Sequence, residues 1–299
     1  MVIPGRIDKK LLVADRMFDP AKASQYTLLC QAGLSGMKLA VVDEKNRLCL
    51  ALGDLRNDLA EASSALPDQV RSFTAFMESA PEVVSWLPLS FGRTVCSWEG
   101  PSSTLVPATL LVPGDMWEYL SFGHKLEAGE TVMSDPLPAI GAVNVYAVPE
   151  KIREMLTRVL GVSRLFHFST AFLEGALADH LRYPERPVLY VYLTGQSAEV
   201  ALIGPNGLMI HNRFVCSAPE DVGYYLLYVL QQFAVPSGKA TVILTGRITA
   251  ADHLFELLGT YIGDPVIPQK INDIHGGKDL ENVPAQEWFT LLNLLRCVS

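Results

Sequence analysis

The sequence predicts an α/β protein made of two related halves, with a subdomain inserted into the first. Three observations carry this: a three-strand meander that occurs twice, strand–helix units that follow one another along the chain, and a Pro- and Gly-rich stretch over 84–140 that interrupts them. In the first meander residues 26–29 are apolar, Gln31-Ala32-Gly33-Leu34-Ser35-Gly36 is turn-like, 37–42 is apolar again, Asp43-Glu44-Lys45-Asn46 turns, and 48–52 completes a third strand. The second, YVYLTGQSAEVALIGPNGLMIHNRF over 190–214, reads as strand, glycine turn, strand, Asn-Gly turn and strand. Laying Gly33 over Gly195 without a gap puts Gln31 over Leu193 and Ser35 over Ser197.

A helix is predicted after each meander, over 67–79 and over 218–233. The second starts at Ser217-Ala218-Pro219-Glu220, a capping box in which serine and glutamate satisfy each other's amides; Asp221 is then a first-turn residue favoured by the helix dipole. Residues 240–244 read as a buried strand, Thr245-Gly246 as a turn and 249–258 as a helix. Before the second meander, 142–148 and 164–168 read as strands followed by helices over 150–160 and 171–180, giving two successive strand–helix units. The insertion holds strand candidates at 94–98 and 104–110. A Pro- and Gly-rich run over 263–283 separates a last helix, 284–297. The domain boundaries follow as 1–184 for the first half, insertion included at about 84–140, and 185–299 for the second.

A chain of 299 residues with 49% hydrophobic and only 19% charged residues can bury a proper core, which excludes a disordered segment. Its net charge of -8, with Lys and Arg scattered, offers no basic stripe for a phosphate backbone, so nucleic acid is not an expected partner. The five cysteines, Cys30, Cys49, Cys96, Cys216 and Cys297, are odd in number and sit mostly in apolar runs without a C-x-x-C pair; free thiols in a reducing compartment are expected. The first fifteen residues lack the apolar core of a signal peptide, and no run of eighteen apolar residues could span a bilayer. The expectation is a soluble cytoplasmic protein.

The order and spacing of Asn212-Arg213-Phe214, Glu220-Asp221, Tyr224-Tyr225-Leu226-Leu227 and Leu244-Thr245-Gly246, with Leu105-Val106-Pro107 in the insertion and a terminal helix ending in Cys297, resembles an uncharacterised bacterial family, domain of unknown function 3822. More widely, the duplicated meander followed by alternating helices and strands resembles the actin-like (ribonuclease H-like) fold shared by actin, sugar kinases, heat-shock chaperones and bacterial pilus-assembly and cell-division proteins. The resemblance covers the chain from about Tyr26 onward. It implies, in each half, a mixed five-stranded sheet flanked by helices, and a cleft between the halves containing Gly33, Gly195 and Gly246.

In working actin-like ATPases each meander begins Asp-x-Gly: the glycines admit backbone amides to the phosphates of ATP, and the two aspartates organise magnesium and its waters. Carried over by resemblance, the glycines stand as Gly33 and Gly195, with Ser35 and Ser197 two positions on. The carboxylate positions hold Gln31 and Leu193. A third element, a Gly-Gly turn against the adenosine, matches Thr245-Gly246 and continues with Arg247, whose side chain crowds or replaces the nucleoside. The expected cofactor is therefore none, with ATP bound at most weakly and no metal site. Glu199 and Asp43 are the nearest carboxylates that could rescue the site, and Glu199 is expected to face solvent. The expected function is a non-catalytic scaffold or interaction module with a protein partner. The alternative is an ATP-binding or phosphotransferase protein that uses unconventional residues.

Other chemistry is weaker. Gly33-Leu34-Ser35-Gly36 is one residue short of a nucleophile elbow, and Gly276-Gly277-Lys278 lacks the rest of a phosphate loop. The six histidines include no i, i+4 pair, and His167, between Phe166 and Phe168, reads as a satisfied core histidine rather than a general base. Tyr224, Tyr225 and Tyr228 are expected to pack on the sheet. The final helix places Trp288, Leu291, Leu292 and Leu295 on one face and Glu287, Thr290, Asn293 and Arg296 on the other, too few cations for anionic lipid, so it is expected to dock on the protein body.

Overall fold

Both repeated segments form three-stranded antiparallel meanders in the computed structural model, which describes residues 7–58, 65–269, 271 and 274–298. Residues 1–6 of the N-terminal segment, and positions 270, 272 and 273 of the run over 263–283, lie outside the described residues. The chain divides into two compact units, one from the described residues within 1–171, 273–283 and 294–299, the other from those within 172–272 and 284–293.

In the first unit the strands β1 (Ile7–Ala14), β2 (Thr27–Gly33), β3 (Gly36–Asp43) and β4 (Leu48–Asn57) precede α1 (Leu66–Val83). Then come β5 (Arg93–Trp98), β6 (Ser103–Pro107), α2 (Met116–Ser121), β7 (Glu130–Leu137), β8 (Ala142–Pro149), α3 (Glu150–Leu160) and β9 (Arg164–His167). The large sheet runs β1-β4-β3-β2-β5-β9. Leu28, Cys30, Ala32, Met37, Leu39 and Val41 share one of its faces by the two-residue period. They pack there with Val70, Phe73, Phe76, Met77 and Ala80 of α1, which lie on one helix face, and with Ile152, Met155 and Leu156 of α3.

Two strands sit elsewhere than the linear pattern suggests. The stretch over 94–98 was expected inside the insertion, but β5 lies in the large sheet, parallel to β2. Five of its six residues are buried, as a strand inside a parallel layer requires, against one of five in β6. Conversely, β8 does not join the large sheet; it forms the centre of a small antiparallel sheet, β6-β8-β7, covered by α2. The strand–helix unit over 142–160 is therefore a subdomain strand followed by a helix of the main body. An apolar run specifies burial but not its pairing partner. The strand β1 escaped the pattern altogether, because a register shift between Lys9 and Leu11 breaks its alternation.

In the second unit α4 (Phe168–His180), whose first turn belongs to the first unit, leads to β10 (Val188–Leu193), β11 (Ser197–Gly204), β12 (Gly207–Val215), α5 (Pro219–Gln232), β13 (Thr241–Gly246) and α6 (His253–Tyr261). The sheet order is β12-β11-β10-β13, with β13 parallel to β10. A single parallel bridge between Ile243 and Val266 stands where a fifth strand would. The cap of α5 differs from the expected Ser–Glu box. It is the Asp221 carboxylate that accepts from the amides of Ser217 at 2.7 Å and Ala218 at 2.9 Å. The helix expected from 249 starts at His253, because the Asp252 side chain accepts from both the amide and the hydroxyl of Thr249. Tyr224 and Tyr228 do not pack on the sheet: they are 64% and 47% exposed, since Val222, Leu226, Val229 and Leu230 take the inner face. Tyr225 stacks on Phe214 at 4.4 Å.

Beyond α6, β14 (His275–Gly276) pairs with β4 in the first unit. The last helix is broken: a 3-10 turn, Ala285–Trp288, then α7 (Phe289–Asn293) and another 3-10 turn, Arg296–Val298. Thr290 and Asn293, expected on a polar face, are buried; Asn293 lies against Gly175 of α4, and Gln286 donates to the Ile248 carbonyl at 2.9 Å. The segment 284–293 is thus docked on the body of the second unit, as expected.

All five cysteines are free thiols, four of them buried, and burial pushes Cys49 up to about 12. Cys30 and Cys96 lie opposite each other on β2 and β5. Thiol titration of the denatured protein without reductant is expected to count five thiols. A count two lower would reveal a disulfide and contradict the reducing-compartment reading.

Candidate functional site

Hairpin geometry corrects the alignment of the two meanders. In the first, Gly33 pairs with Gly36 and the turn residues are Leu34 and Ser35. In the second, the Thr194 amide donates to the Ser197 carbonyl at 2.9 Å, and the turn residues are Gly195 and Gln196. Gly33 therefore corresponds to Thr194, not Gly195, and Gln31 corresponds to Tyr192, not Leu193. A one-residue slip moves every side chain to the opposite face. Accordingly Leu193 lies in the core with Leu189, Val191, Val200 and Leu202 beneath α5 and α6. It never presents a side chain on the face where Gln31 lies.

The corrected register brings out one polar row on each sheet. In the first unit, Ser97, Gln31, Lys38 and Asp54 stand side by side on β5, β2, β3 and β4, all buried. Gln31 donates through Nε2 to Glu99 Oε2 at 3.2 Å, and Arg56 pairs with Asp54 at 3.0 Å. In the second unit, Thr245, Tyr192, Glu199 and Arg213 occupy the same places on β13, β10, β11 and β12. Here Glu199 is paired with His211 at 2.7 Å, Arg213 donates to Ser197 Oγ at 3.0 Å, and Thr245 donates to the Val191 carbonyl at 3.0 Å. The two rows carry the same layout with the charges exchanged: Lys38 then Asp54 in one, Glu199 then Arg213 in the other.

Neither expected rescue carboxylate fits a magnesium site. Glu199, expected to face solvent, is 2% exposed and paired with His211. Asp43 closes the far turn, accepting from the Asn46 amide at 3.0 Å, at the opposite end of β3 from Gly36. Seven residues of strand put it about 23 Å away. The carboxylate beside Gln31 is instead Glu99, sixty-eight positions along the chain. No local motif signals it. Only the parallel pairing of β5 with β2 brings it there.

Of the residues singled out from sequence, Gly195, Ser197, Gly246 and Arg247 gather at one end of the second sheet, while Gly33 and Ser35 sit at the corresponding end of the first with Glu99. Ser35 and Gly195 are exposed in their turns, and Ser197 is buried. Gly246 has φ +83°, and a Cβ there would lie 2.2 Å from the Leu193 carbonyl oxygen, so its glycine is required by the approach of β13 to β10. Arg247 is exposed and its amide donates to that carbonyl at 3.1 Å. His167 is a satisfied core histidine, its Nε2 on the Gly100 carbonyl at 3.3 Å and its Nδ1 accepting from the Ser169 amide at 3.2 Å.

In neither unit does the row place a carboxylate where the resemblance calls for a metal-organising aspartate. The first unit has the amide of Gln31 there and the second the phenol of Tyr192, and neither offers a metal an anionic oxygen; Glu99 accepts from Gln31, and Glu199 is paired with His211. Among the described residues no three His, Cys, Asp or Glu side chains converge.

The two sheets, each a meander extended by a parallel strand, define an actin-like ATPase fold. A Bacteroides thetaiotaomicron protein of actin-like ATPase fold and unknown function matches with a TM-score of 0.77 at 21% identity, covering 94% of this chain and 99% of that one. The PilM–PilN type IV pilus biogenesis complex matches with a TM-score of 0.63 at 16% identity, covering 91% of this chain and 98% of that one. Residues 15–264 match the family described as a protein of unknown function, DUF3822, and the chain belongs to that family. No curated protein sequence matches it. Among the described residues no helix is long and apolar enough to cross a membrane.

Proposed function

We propose that this chain is a non-catalytic actin-like interaction module of the cytoplasm, a scaffold that recognises a protein partner and whose nucleotide site is degenerate. The observation that carries this reading is the pair of buried rows, in which Gln31 and Tyr192 stand at the metal-organising positions while Asp54 is paired with Arg56 and Glu199 with His211. A metal that bridges phosphates supplies several kcal/mol of transition-state stabilisation, and neither residue gives it an anionic ligand. The PilM–PilN complex supports the partner half of the reading, as an assembly built on a similar fold. The four buried thiols support a reducing compartment. Glu99 favours the second reading, an ATP-binding or phosphotransferase protein, as one carboxylate at the phosphate end of β5.

The test is a thermal melt with and without magnesium-ATP. A ligand that binds only the native state stabilises it by about 2.7 kcal/mol at one hundred times Kd. The expected result is an unchanged melting temperature at about 50 µM nucleotide, where a Kd no tighter than about 100 µM adds roughly 0.2 kcal/mol at most. A rise that disappears in Glu99→Gln would favour the second reading.

A further inference from the structure

We propose that the groove between β6 and α2 binds an extended, cationic segment of a partner protein by adding it to the open edge of the small sheet. This rests on the interaction-module reading and names its surface. Among the described residues the strand β6 has one neighbour, β8. Ser102 accepts from the Ala147 amide, and the Ala108 amide donates to Gly141, so the even-numbered residues of this stretch face β8 and the odd ones turn their backbone groups outward. His124 takes the Ser103 carbonyl at 3.0 Å, and Pro107 has no amide hydrogen. What is left is a short open ladder: the N–H of Ser103 and both backbone groups of Leu105.

Beside that edge lies a cavity of about 400 Å³ lined by Leu105, Pro107, Leu110, Glu118, Tyr119 and Phe122, among others. Its far wall is built rather than loose, because the Tyr119 hydroxyl donates to the Leu110 carbonyl at 2.7 Å and accepts from the Val112 amide at 3.2 Å. Phe122 is 98% exposed and Leu110 64%. Apolar pockets beside an open ladder are what a peptide with alternating side chains occupies.

Charge selects the occupant. From Thr94 to His124 the sequence has no Lys or Arg, while Glu118 lines the groove and Asp115 stands at the N-terminus of α2. The next lysine along the sequence, Lys125, is paired with Glu127 at 3.0 Å. A second copy of this chain would bring the same carboxylates against each other, whereas a peptide carrying lysine or arginine between apolar residues complements them.

The experiment uses the full chain and fluorescence anisotropy with two labelled peptides of about nine residues, one alternating valine with lysine and the other valine with glutamate. The lysine peptide is expected to bind about tenfold tighter or better, and to weaken as salt rises from about 0.05 to 0.5 M. The double variant Leu110→Ser/Phe122→Ser, exposed positions whose melting temperature is expected to be unchanged, loses binding. Glu118→Lys shifts the preference toward the glutamate peptide. Equal binding of both peptides, or binding that neither variant moves, overturns the proposal. Dimerisation abolished by the same double variant without peptide binding overturns it in favour of a second copy. Absent peptide binding together with a flat magnesium-ATP melt removes this groove while leaving the interaction-module reading in place.

Discussion

Asp135→Ala is expected to cost roughly 3–5 kcal/mol at pH 5. Asp135 of β7 is buried and accepts three hydrogen bonds: Oδ1 from the Tyr146 hydroxyl at 3.1 Å, Oδ2 from the His167 amide and the Thr170 hydroxyl, both at 2.7 Å. Removal takes a buried acceptor from the His167 amide and the Thr170 hydroxyl, while Tyr146 keeps a second one, the Leu165 carbonyl at 3.2 Å. An unmade buried hydrogen bond costs about 1–3 kcal/mol. The carboxylate thus ties the small sheet to the start of α4.

The same group makes stability depend on pH. Burial raises Asp135 from 3.8 to about 6, partly opposed by its three donors. Between about pH 4 and 6 the folded state therefore holds a proton that the unfolded chain has lost, so stability falls as pH rises through that window and levels off above it. The difference amounts to roughly 3 kcal/mol. Asp135→Asn can still accept from His167 and Thr170 while its amide donates to Tyr146, so urea titration at pH 4.5 and 8 should show the slope from this group gone with the fold intact. An unchanged slope would mean that Asp135 is not its source.

The glycines divide just as sharply. Gly246→Ala is expected to cost roughly 3 kcal/mol or more, because its φ is +83° and the new Cβ would meet the Leu193 oxygen at 2.2 Å and nitrogen at 2.8 Å, both backbone atoms that cannot yield without moving β10. Gly195→Ala is expected to change stability by no more than about 0.5 kcal/mol, since its φ is ordinary and nothing lies within 4 Å of the added carbon. Thermal melts of the two variants decide it. Comparable losses in both would contradict the turn geometry that shifts the meanders by one residue.

Those two glycines also mark where sequence reading succeeded and where it failed. Both meanders were legible, and α3 appeared residue for residue, because Glu150 favours its N-terminus and Gly161 takes the left-handed φ of +61° that ends it. A turn glycine, however, does not reveal which turn position it holds. Gly33 closes a ladder and Gly195 sits inside a turn, so aligning them slipped the register and exchanged Tyr192 for Leu193. Glu99, the carboxylate beside Gln31, is non-local: it is brought there by the pairing of β5 with β2. Away from that site, Asp135 precedes Pro136, which reads as a loop signal although both lie within β7. The apolar stretch at the C-terminus suggested one amphipathic helix, but it is broken, and Thr290 and Asn293 of its polar face are buried while Arg296 is exposed.

Calorimetric titration of magnesium-ATP into the intact protein tests the proposal of a degenerate site most directly. The predicted result is a Kd no tighter than about 100 µM, roughly -5.5 kcal/mol, with any residual heat independent of magnesium and lost in Arg247→Ala, since an exposed arginine can pair with a phosphate without a metal. Micromolar binding that requires magnesium and is lost in Glu99→Gln would contradict the account.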